Sequence, residues 1–312
     1  MALRRAALIY NPRSGRQRHG QVLDALLATL RGAEFAVEPI ATAFPGQATE
    51  LARERSRQVE AVFAFGGDGT AREVAAGLLG GTAALGILPG GTANVLAKAL
   101  GIPPDPLAAA SLLARLPARP FDVGLAGGSP FLMMVSAGLD AALLAALDTR
   151  LKWRFGRAAL AWQGLREWWR YPYPPLEVIA DGERLDASFA CVSNIPYYAG
   201  RFRLAPDAQP DDGWLELVLF RGSGRAATLS FVRDLLLSTH VRRRDVEIRR
   251  VREVLLGGPA GAHAQVDGDL CEERLPLAIR LSPEKLSVLA PDPVPGEAHI
   301  RRSTVRESGE RS

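Results

Sequence analysis

Three short turns in the first hundred residues hold the side chains best suited to chemistry: Asn11-Pro12-Arg13-Ser14-Gly15, Gly66-Gly67-Asp68-Gly69-Thr70 and Pro89-Gly90-Gly91-Thr92. Glycine in such a turn lets backbone N–H groups approach phosphate oxygens with no Cβ in the way. A helix that begins just after the turn adds aligned donors and a partial positive charge. Ser14, Thr70 and Thr92 add hydroxyls, and Arg13 adds a fork of N–H groups. One such turn alone reads as an ordinary helix start; three together point to a phosphate site. Asp68 would repel that ligand unless a cation intervened, and Mg²⁺ prefers one or two carboxylates plus phosphate oxygens. Asp68 therefore reads as the organiser of Mg²⁺ on a triphosphate, directly or through water. The alternative is an N-terminal cap for the helix expected from Ala71.

A sheet must hold these turns along one edge. Ala6–Tyr10, Phe35–Ile40, Ala61–Phe65 and Ala84–Leu88 are apolar runs of strand length, and helical spacing predicts helices over Gln21–Leu30, Gly46–Gln58, Ala71–Leu79 and Ala93–Leu100. Repeated strand–turn–helix units predict an α/β domain with an open, mostly parallel sheet over residues 1–121. Ligands of such sheets bind outside the carboxyl ends of the strands, where all three turns fall. The pattern changes near Phe121. Strands are expected at Leu176–Ala180, Asp186–Ser193, Trp214–Phe220, Asp245–Arg249, Ala262–Val266 and Pro276–Leu281, with hairpin turns at Asp181-Gly182 and Asp267-Gly268. Helices are expected within Ala141–Trp169 and Thr228–Leu237. This series predicts a β-rich, antiparallel, sandwich-like domain over 122–290, followed by a disordered tail over 291–312, rich in Pro, Arg, Glu and Ser.

A chain of 312 residues is long for one core, in keeping with two domains. No apolar run approaches the ~20 residues of a membrane span, and Met1–Arg5 lead straight into a strand-like run, so no signal peptide is expected. Cys191 and Cys271 are expected as buried free thiols in a reducing cytoplasm, and with four scattered His they offer no zinc spacing. The net charge of +4 is carried almost entirely by arginine, Lys98, Lys152 and Lys285 being the only lysines. This modest excess suits phosphorylated ligands or an anionic membrane surface. A recognition helix, an aromatic RNA platform and a basic stripe are all lacking, which argues against nucleic acid. The chain has no Walker loop and no helix-opening G-x-G-x-x-G, which disfavours an ordinary dinucleotide fold.

The three turns, with the third extended to Pro89-Gly-Gly-Thr-Ala-Asn94, resemble the diacylglycerol kinase catalytic domain, in particular the soluble bacterial lipid kinases related to sphingosine and ceramide kinases and, more distantly, to NAD kinases. The resemblance spans about residues 4–290 and includes Phe121-Asp122-Val123-Gly124, Ser136-Ala137-Gly138-Leu139-Asp140, Leu204-Ala205-Pro206, Asp212-Gly213 and Asp267-Gly268-Asp269. It implies an ATP-dependent, Mg²⁺-requiring kinase acting on a lipid hydroxyl, cytoplasmic and peripheral on the inner membrane surface, with its active site between two domains. By that resemblance Asn11, Arg13, Ser14, Thr42, Gly66–Arg72 (Gly66, Gly67, Asp68, Gly69, Thr70 and Arg72 among them), Gly91, Thr92 and Asn94 contact the nucleotide. Asp68 and Asp122 belong to the Mg²⁺ network, and Asp269 is the general base. A structural cation is implied at Asp212, with backbone carbonyls near Gln209 and Trp214.

Two positions depart from the family pattern. Val95 follows Asn94 where Asp is common, removing a carboxylate from the expected network. Asp269 stands where Glu is usual, which shortens the base by about 1.5 Å, one C–C bond. Lys152–Arg170 places Trp153, Phe155, Trp162, Trp168 and Trp169 among Arg154, Arg157, Arg166 and Arg170. That segment suits a helix resting at a lipid interface and equally a helix packed on the second domain. An NAD kinase-like enzyme and a catalytically inactive lipid- or nucleotide-binding regulator stay open as alternatives, as does a homodimer.

Overall fold

The computed structural model describes residues 3–14, 19–146, 162–200 and 202–291. Four apolar runs form parallel strands: β1 (Arg4–Tyr10), β2 (Phe35–Ala41), β3 (Ala61–Gly66) and β4 (Ala84–Pro89). β3 and β4 are buried along their whole length, as strands covered on both faces should be. Helices α1 (His19–Gly32), α2 (Gln47–Arg55), α3 (Asp68–Leu78) and α4 (Val95–Ala99) follow the four strands in turn. The turns after β1, β3 and β4 therefore meet at one edge. α2 and α3 pack backbone against backbone there: a Cβ on Gly77 would lie 2.3 Å from the Thr49 carbonyl oxygen.

The first sheet is completed from far along the chain. Leu286–Leu289 pairs in parallel with β4 and antiparallel with Ala118–Phe121, giving six strands, four of them from the first ninety residues. The division expected at residue 121 is thus crossed once more near the end of the described chain. The apolar edge of β4 needs a partner, and residues 286–289 supply it.

Twelve of the remaining strands form two antiparallel six-stranded sheets, and Tyr197–Tyr198 pairs with Phe202–Arg203 in a two-stranded one. One contains Glu183–Ala187, Leu176–Ala180, Glu253–Leu256, Leu277–Leu281, Gly124–Ala126 and Ser129–Phe131. The other contains Val246–Val251, Leu215–Phe220, Phe189–Ser193, Met134–Ala137, His263–Val266 and Asp269–Arg274. Side chains from both, such as Val178, Val192, Leu217, Val254 and Ile279, share one buried core, so the region is sandwich-like. The second sheet is buried on its other face as well, where Cys191, Val218 and Phe220 join the core that continues into the first domain. The single strand expected over Asp186–Ser193 is two strands in different sheets, broken at Ser188. Both hairpin turns carry the expected left-handed pair, Asp181 and Gly182 at φ 47° and 90°, Asp267 and Gly268 at 52° and 89°. Both cysteines are free; Cys191 is buried, but Cys271 is only half-buried because its strand lies at the sheet edge. Among the described residues no helix is long and apolar enough to cross a membrane.

Candidate active site

The glycine turns are interlocked. A Cβ on Gly91 would stand 2.5 Å from the Gly67 Cα, and one on Gly66 would stand 2.5 Å from Thr70 Oγ1. Only glycine permits this approach. Asn94 locks the third turn: its Oδ1 accepts the Gly91 N–H and its Nδ2 donates to the Gly91 carbonyl, each at 3.0 Å. In the first turn the Asn11 N–H donates to the Phe65 carbonyl at 3.2 Å, the Arg13 N–H donates to Asn11 Oδ1 at 2.9 Å, and Ser14 Oγ donates to the Asn11 carbonyl at 3.0 Å. The Thr42 N–H donates to the Tyr10 carbonyl at 2.9 Å.

Together these residues frame a cavity of about 300 Å³. Asn11, Arg13, Ser14, Thr42, Gly67, Gly69 and Thr70 line it, seven of the nucleotide contacts expected from the sequence. Gly66, Gly91 and Asn94 stand behind this wall as supports. Asp68, Arg72 and the exposed Thr92 do not line it. Ala43, Phe44, Pro45, Ala48 and Glu73 line the cavity without having been expected. Glu73 lies one helical turn beyond Gly69 and Thr70 on the same face of α3, a spacing that could have revealed it. Its Oε2 accepts the Ala48 N–H at 3.3 Å, tying α3 to the start of α2.

Asp68 is the first residue of α3, yet it does not cap its own helix. Its Oδ1 accepts the Leu96 N–H of α4 at 3.0 Å, while Gly67 at the α3 N-cap makes no side-chain bond. Among the described residues its Oδ2 accepts no hydrogen bond. A carboxylate oxygen left over between two cavity-lining glycines suits a Mg²⁺ carried in on a nucleoside triphosphate. Val95, next to the Leu96 donor, is buried.

Asp122 is placed elsewhere. It is buried against loop 209–214, where its Oδ2 accepts the Gly213 N–H at 2.6 Å and its N–H donates to the Pro210 carbonyl at 2.5 Å. Lys285 Nζ pairs with its Oδ1 at 2.8 Å. Asp122 therefore stands with Asp212, and no contact among the described residues links it to Asp68. Asp212 Oδ1 accepts the Trp214 N–H at 3.1 Å and its Oδ2 pairs with Arg250. Burial pushes the Asp212 carboxyl up, and Arg250 opposes that shift. Trp214 lies under the Arg252 guanidinium at 4.3 Å, and Gln209 is exposed. With these carboxylate oxygens engaged, the residues present do not fit a structural divalent cation.

Asp269 opens a strand immediately after its hairpin turn. Asp267 anchors that turn: its buried carboxylate accepts the N–H groups of Leu132, Met133 and Met134 at 2.9, 2.8 and 3.0 Å. Burial still pushes the Asp267 carboxyl above its ordinary value, against the pull of those three donors and of Arg72. The Gly268 N–H donates to Gln265 Oε1 at 2.8 Å. From this fixed base Asp269 reaches the first domain. A Cβ on Gly69 would lie 4.0 Å from Asp269 Oδ2, and Arg72 bridges the gap, with Nη2 to Asp269 Oδ2 and Nη1 to the Val266 carbonyl, both at 3.0 Å.

Residues 5–126 match the model of the diacylglycerol kinase catalytic domain, and residues 133–290 match the YegS C-terminal NAD kinase beta sandwich-like domain. A Pseudomonas putida protein named "Probable lipid kinase YegS-like" is 31% identical over 238 residues, 75% of this chain and 79% of that protein. The chain belongs to the diacylglycerol kinase family of lipid kinases. The diacylglycerol kinase of Bacillus subtilis is 29% identical over 273 residues, 86% of this chain and 90% of that enzyme. A crystal structure from Bacillus anthracis superposes with a TM-score of 0.79 at 23% identity, covering 94% of this chain and 97% of that one, so the fold is shared. In this lipid kinase the first matched region supplies the glycine turns and the second supplies the Asp269 hairpin.

Proposed function

We propose that this lipid kinase transfers the γ-phosphoryl group of Mg²⁺-bound ATP to the hydroxyl of diacylglycerol or a related lipid alcohol. The observation that carries the reading is the Asp269 carboxylate standing over Gly69, where the base and the phosphate cradle face one another. The lipid oxygen attacks the γ-phosphorus in line, the bond to the β–γ bridging oxygen breaks, ADP leaves and Asp269 takes the hydroxyl proton. Phosphoryl transfer asks the protein mainly for positioning and charge neutralisation, and the interlocked turns supply the first. Arg13 supplies part of the second, and a Mg²⁺ held by Asp68 would supply the rest.

Contact with a membrane surface, the inner one for a cytoplasmic enzyme, has support in the second domain. Of the Trp- and Arg-rich segment, Trp153, Arg154, Phe155 and Arg157 lie outside the described residues, but residues 162–170 are helical. Trp162, Leu165 and Trp169 are exposed along one face of that helix, whereas Gln163 is buried and Trp168 half-buried. The neighbouring helix Gly224–Leu236 exposes Leu229, Val232 and Leu236 at the same spacing. Arg225 joins the two helices, its guanidinium 4.1 Å from the Trp169 ring centre. Aromatic and aliphatic stripes edged by arginine suit an anionic lipid interface.

The deciding experiment supplies radiolabelled ATP and mixed vesicles bearing a panel of lipid alcohols, with NAD as a soluble acceptor. A labelled phospholipid from the wild type, lost in Asp269→Asn, is the expected result. No lipid product across the panel would sink the proposal, and labelled NADP would replace it with the soluble acceptor.

A further inference from the structure

Around Asp212, where the resemblance implies a second-domain cation, the chain already pairs its carboxylates with its own side-chain cations. Asp122 is only 2% exposed, and its two oxygens take Lys285 Nζ at 2.8 Å and the Gly213 N–H at 2.6 Å. The same ammonium donates to the Asp211 carbonyl at 3.0 Å, spanning the loop that would wrap an ion. Arg250 pairs with Asp212 and also reaches Glu216 at 3.3 Å. Three carboxylates thus meet two side-chain cations, and among the described residues no group of three or more His, Cys, Asp or Glu side chains is disposed to hold a metal ion.

We infer that Lys285 and Arg250 replace the divalent cation, so that loop 209–214 is closed without metal. A buried carboxylate such as Asp122 needs a partner of opposite charge, and removing that partner is strongly destabilising. A bound ion meets the need only as far as its concentration exceeds its dissociation constant. A lysine in the chain meets it at any ion concentration. Mg²⁺ or Ca²⁺ entering here would need six or more oxygen ligands, carboxylates included. It would have to take Asp122 from the ammonium and then sit beside that ammonium unscreened.

The test uses the full chain without nucleotide or lipid, so its failure leaves the kinase reading standing. Thermal melts of the wild type in EDTA and in millimolar Mg²⁺ or Ca²⁺ are expected to agree within about 1 °C. Lys285→Met is expected to melt lower in EDTA and to recover by about 5 °C in metal at a hundredfold excess over its dissociation constant. Lys285→Arg should remain indifferent to metal. Tb³⁺ luminescence sensitised by Trp214, read against Trp214→Phe, should be silent in the wild type and should appear in Lys285→Met. If Lys285→Met fails to fold, the wild-type melts and the Tb³⁺ titration decide alone. A wild type that gains several degrees in Mg²⁺ or Ca²⁺, with the gain abolished by Asp212→Asn, overturns the inference. So does a folded Lys285→Met that ignores metal.

Discussion

Arg72 Nη2 lies 3.0 Å from Asp269 Oδ2, an ion pair between residues 197 positions apart that ties the helix of the second glycine turn to the hairpin of the second domain. Its partners are unequally covered, at 25% and 63% side-chain exposure, so it adds about 0–1 kcal/mol to stability. Its value is positional, because the second bond from Arg72 to the Val266 carbonyl fixes the hairpin at its base. Arg72→Met is therefore expected to lower turnover of vesicle-borne lipid while moving the melting temperature little. Asp269→Asn should lower kcat by about 10²–10⁴, the span of a general base. Asp269→Glu, longer by one methylene, should keep or raise activity. Initial rates with labelled ATP, beside melts of the same proteins, check all three; full activity in Asp269→Asn would remove that residue from the chemistry.

Asp68 serves two purposes, and two substitutions separate them. Its Oδ1 caps α4 through the Leu96 N–H, and it stands between Gly67 and Gly69, which line the cavity. Asp68→Asn keeps an acceptor for Leu96 and loses the charge, so stability should hold while Mg²⁺-dependent ATP turnover falls. Asp68→Ala loses both, at a further cost of about 0.5–2 kcal/mol. Urea unfolding with initial rates makes the comparison. Equal stability in the two variants would mean that the cap does not contribute.

Gly91→Ala would push a methyl against the Gly67 backbone, 2.5 Å away with no side chain able to yield. Overpacking of this kind costs about 1–3 kcal/mol. Calorimetric titration with a non-hydrolysable ATP analogue should show weakened binding, since the second glycine turn must shift. Gly128→Ala, with open space at its Cβ but a left-handed φ of 92°, is the useful contrast: backbone strain without a change in nucleotide binding.

Replacing Trp162, Leu165 and Trp169 together by serine should reduce sedimentation with anionic vesicles, without changing binding of the ATP analogue. Unaltered sedimentation would take this helix face out of membrane contact.

His240 is buried, with a ring nitrogen 2.9 Å from the Leu204 carbonyl. Burial holds its imidazole below the ordinary 6.5, against the opposing pull of Leu204 and Asp234. Its folded value is thus depressed, so the stability it contributes is present above about pH 6.5 and is lost as pH falls through the folded value. Urea midpoints of the wild type should drop between pH 7 and pH 5 relative to His240→Gln. Parallel pH profiles for the two proteins would contradict this.

The first domain was legible because strands buried on both faces announce themselves as unbroken apolar runs ending in glycine turns, as Ala61–Phe65 does. The cradle was legible for the same reason, since its residues are local to those turns. What lay hidden depended on contacts between distant segments. Phe44 joins the cavity wall from the loop before α2, brought there because α2 and α3 touch. Asp122 sits in a family motif, but its partners Lys285 and Gly213 come from elsewhere in the chain. Ser188 breaks a run that holds no glycine or proline, so the strand break carries no turn signal of its own. The short segment Leu286–Leu289 looks like any edge strand until β4 is known to need a neighbour.

That returning strand bears on how the enzyme is made. The sheet behind the glycine turns keeps β4 unpaired on one side until residues 286–289 have left the ribosome, after all of the sandwich strands. A truncated product ending within the sandwich would therefore carry the glycine turns on an unfinished sheet.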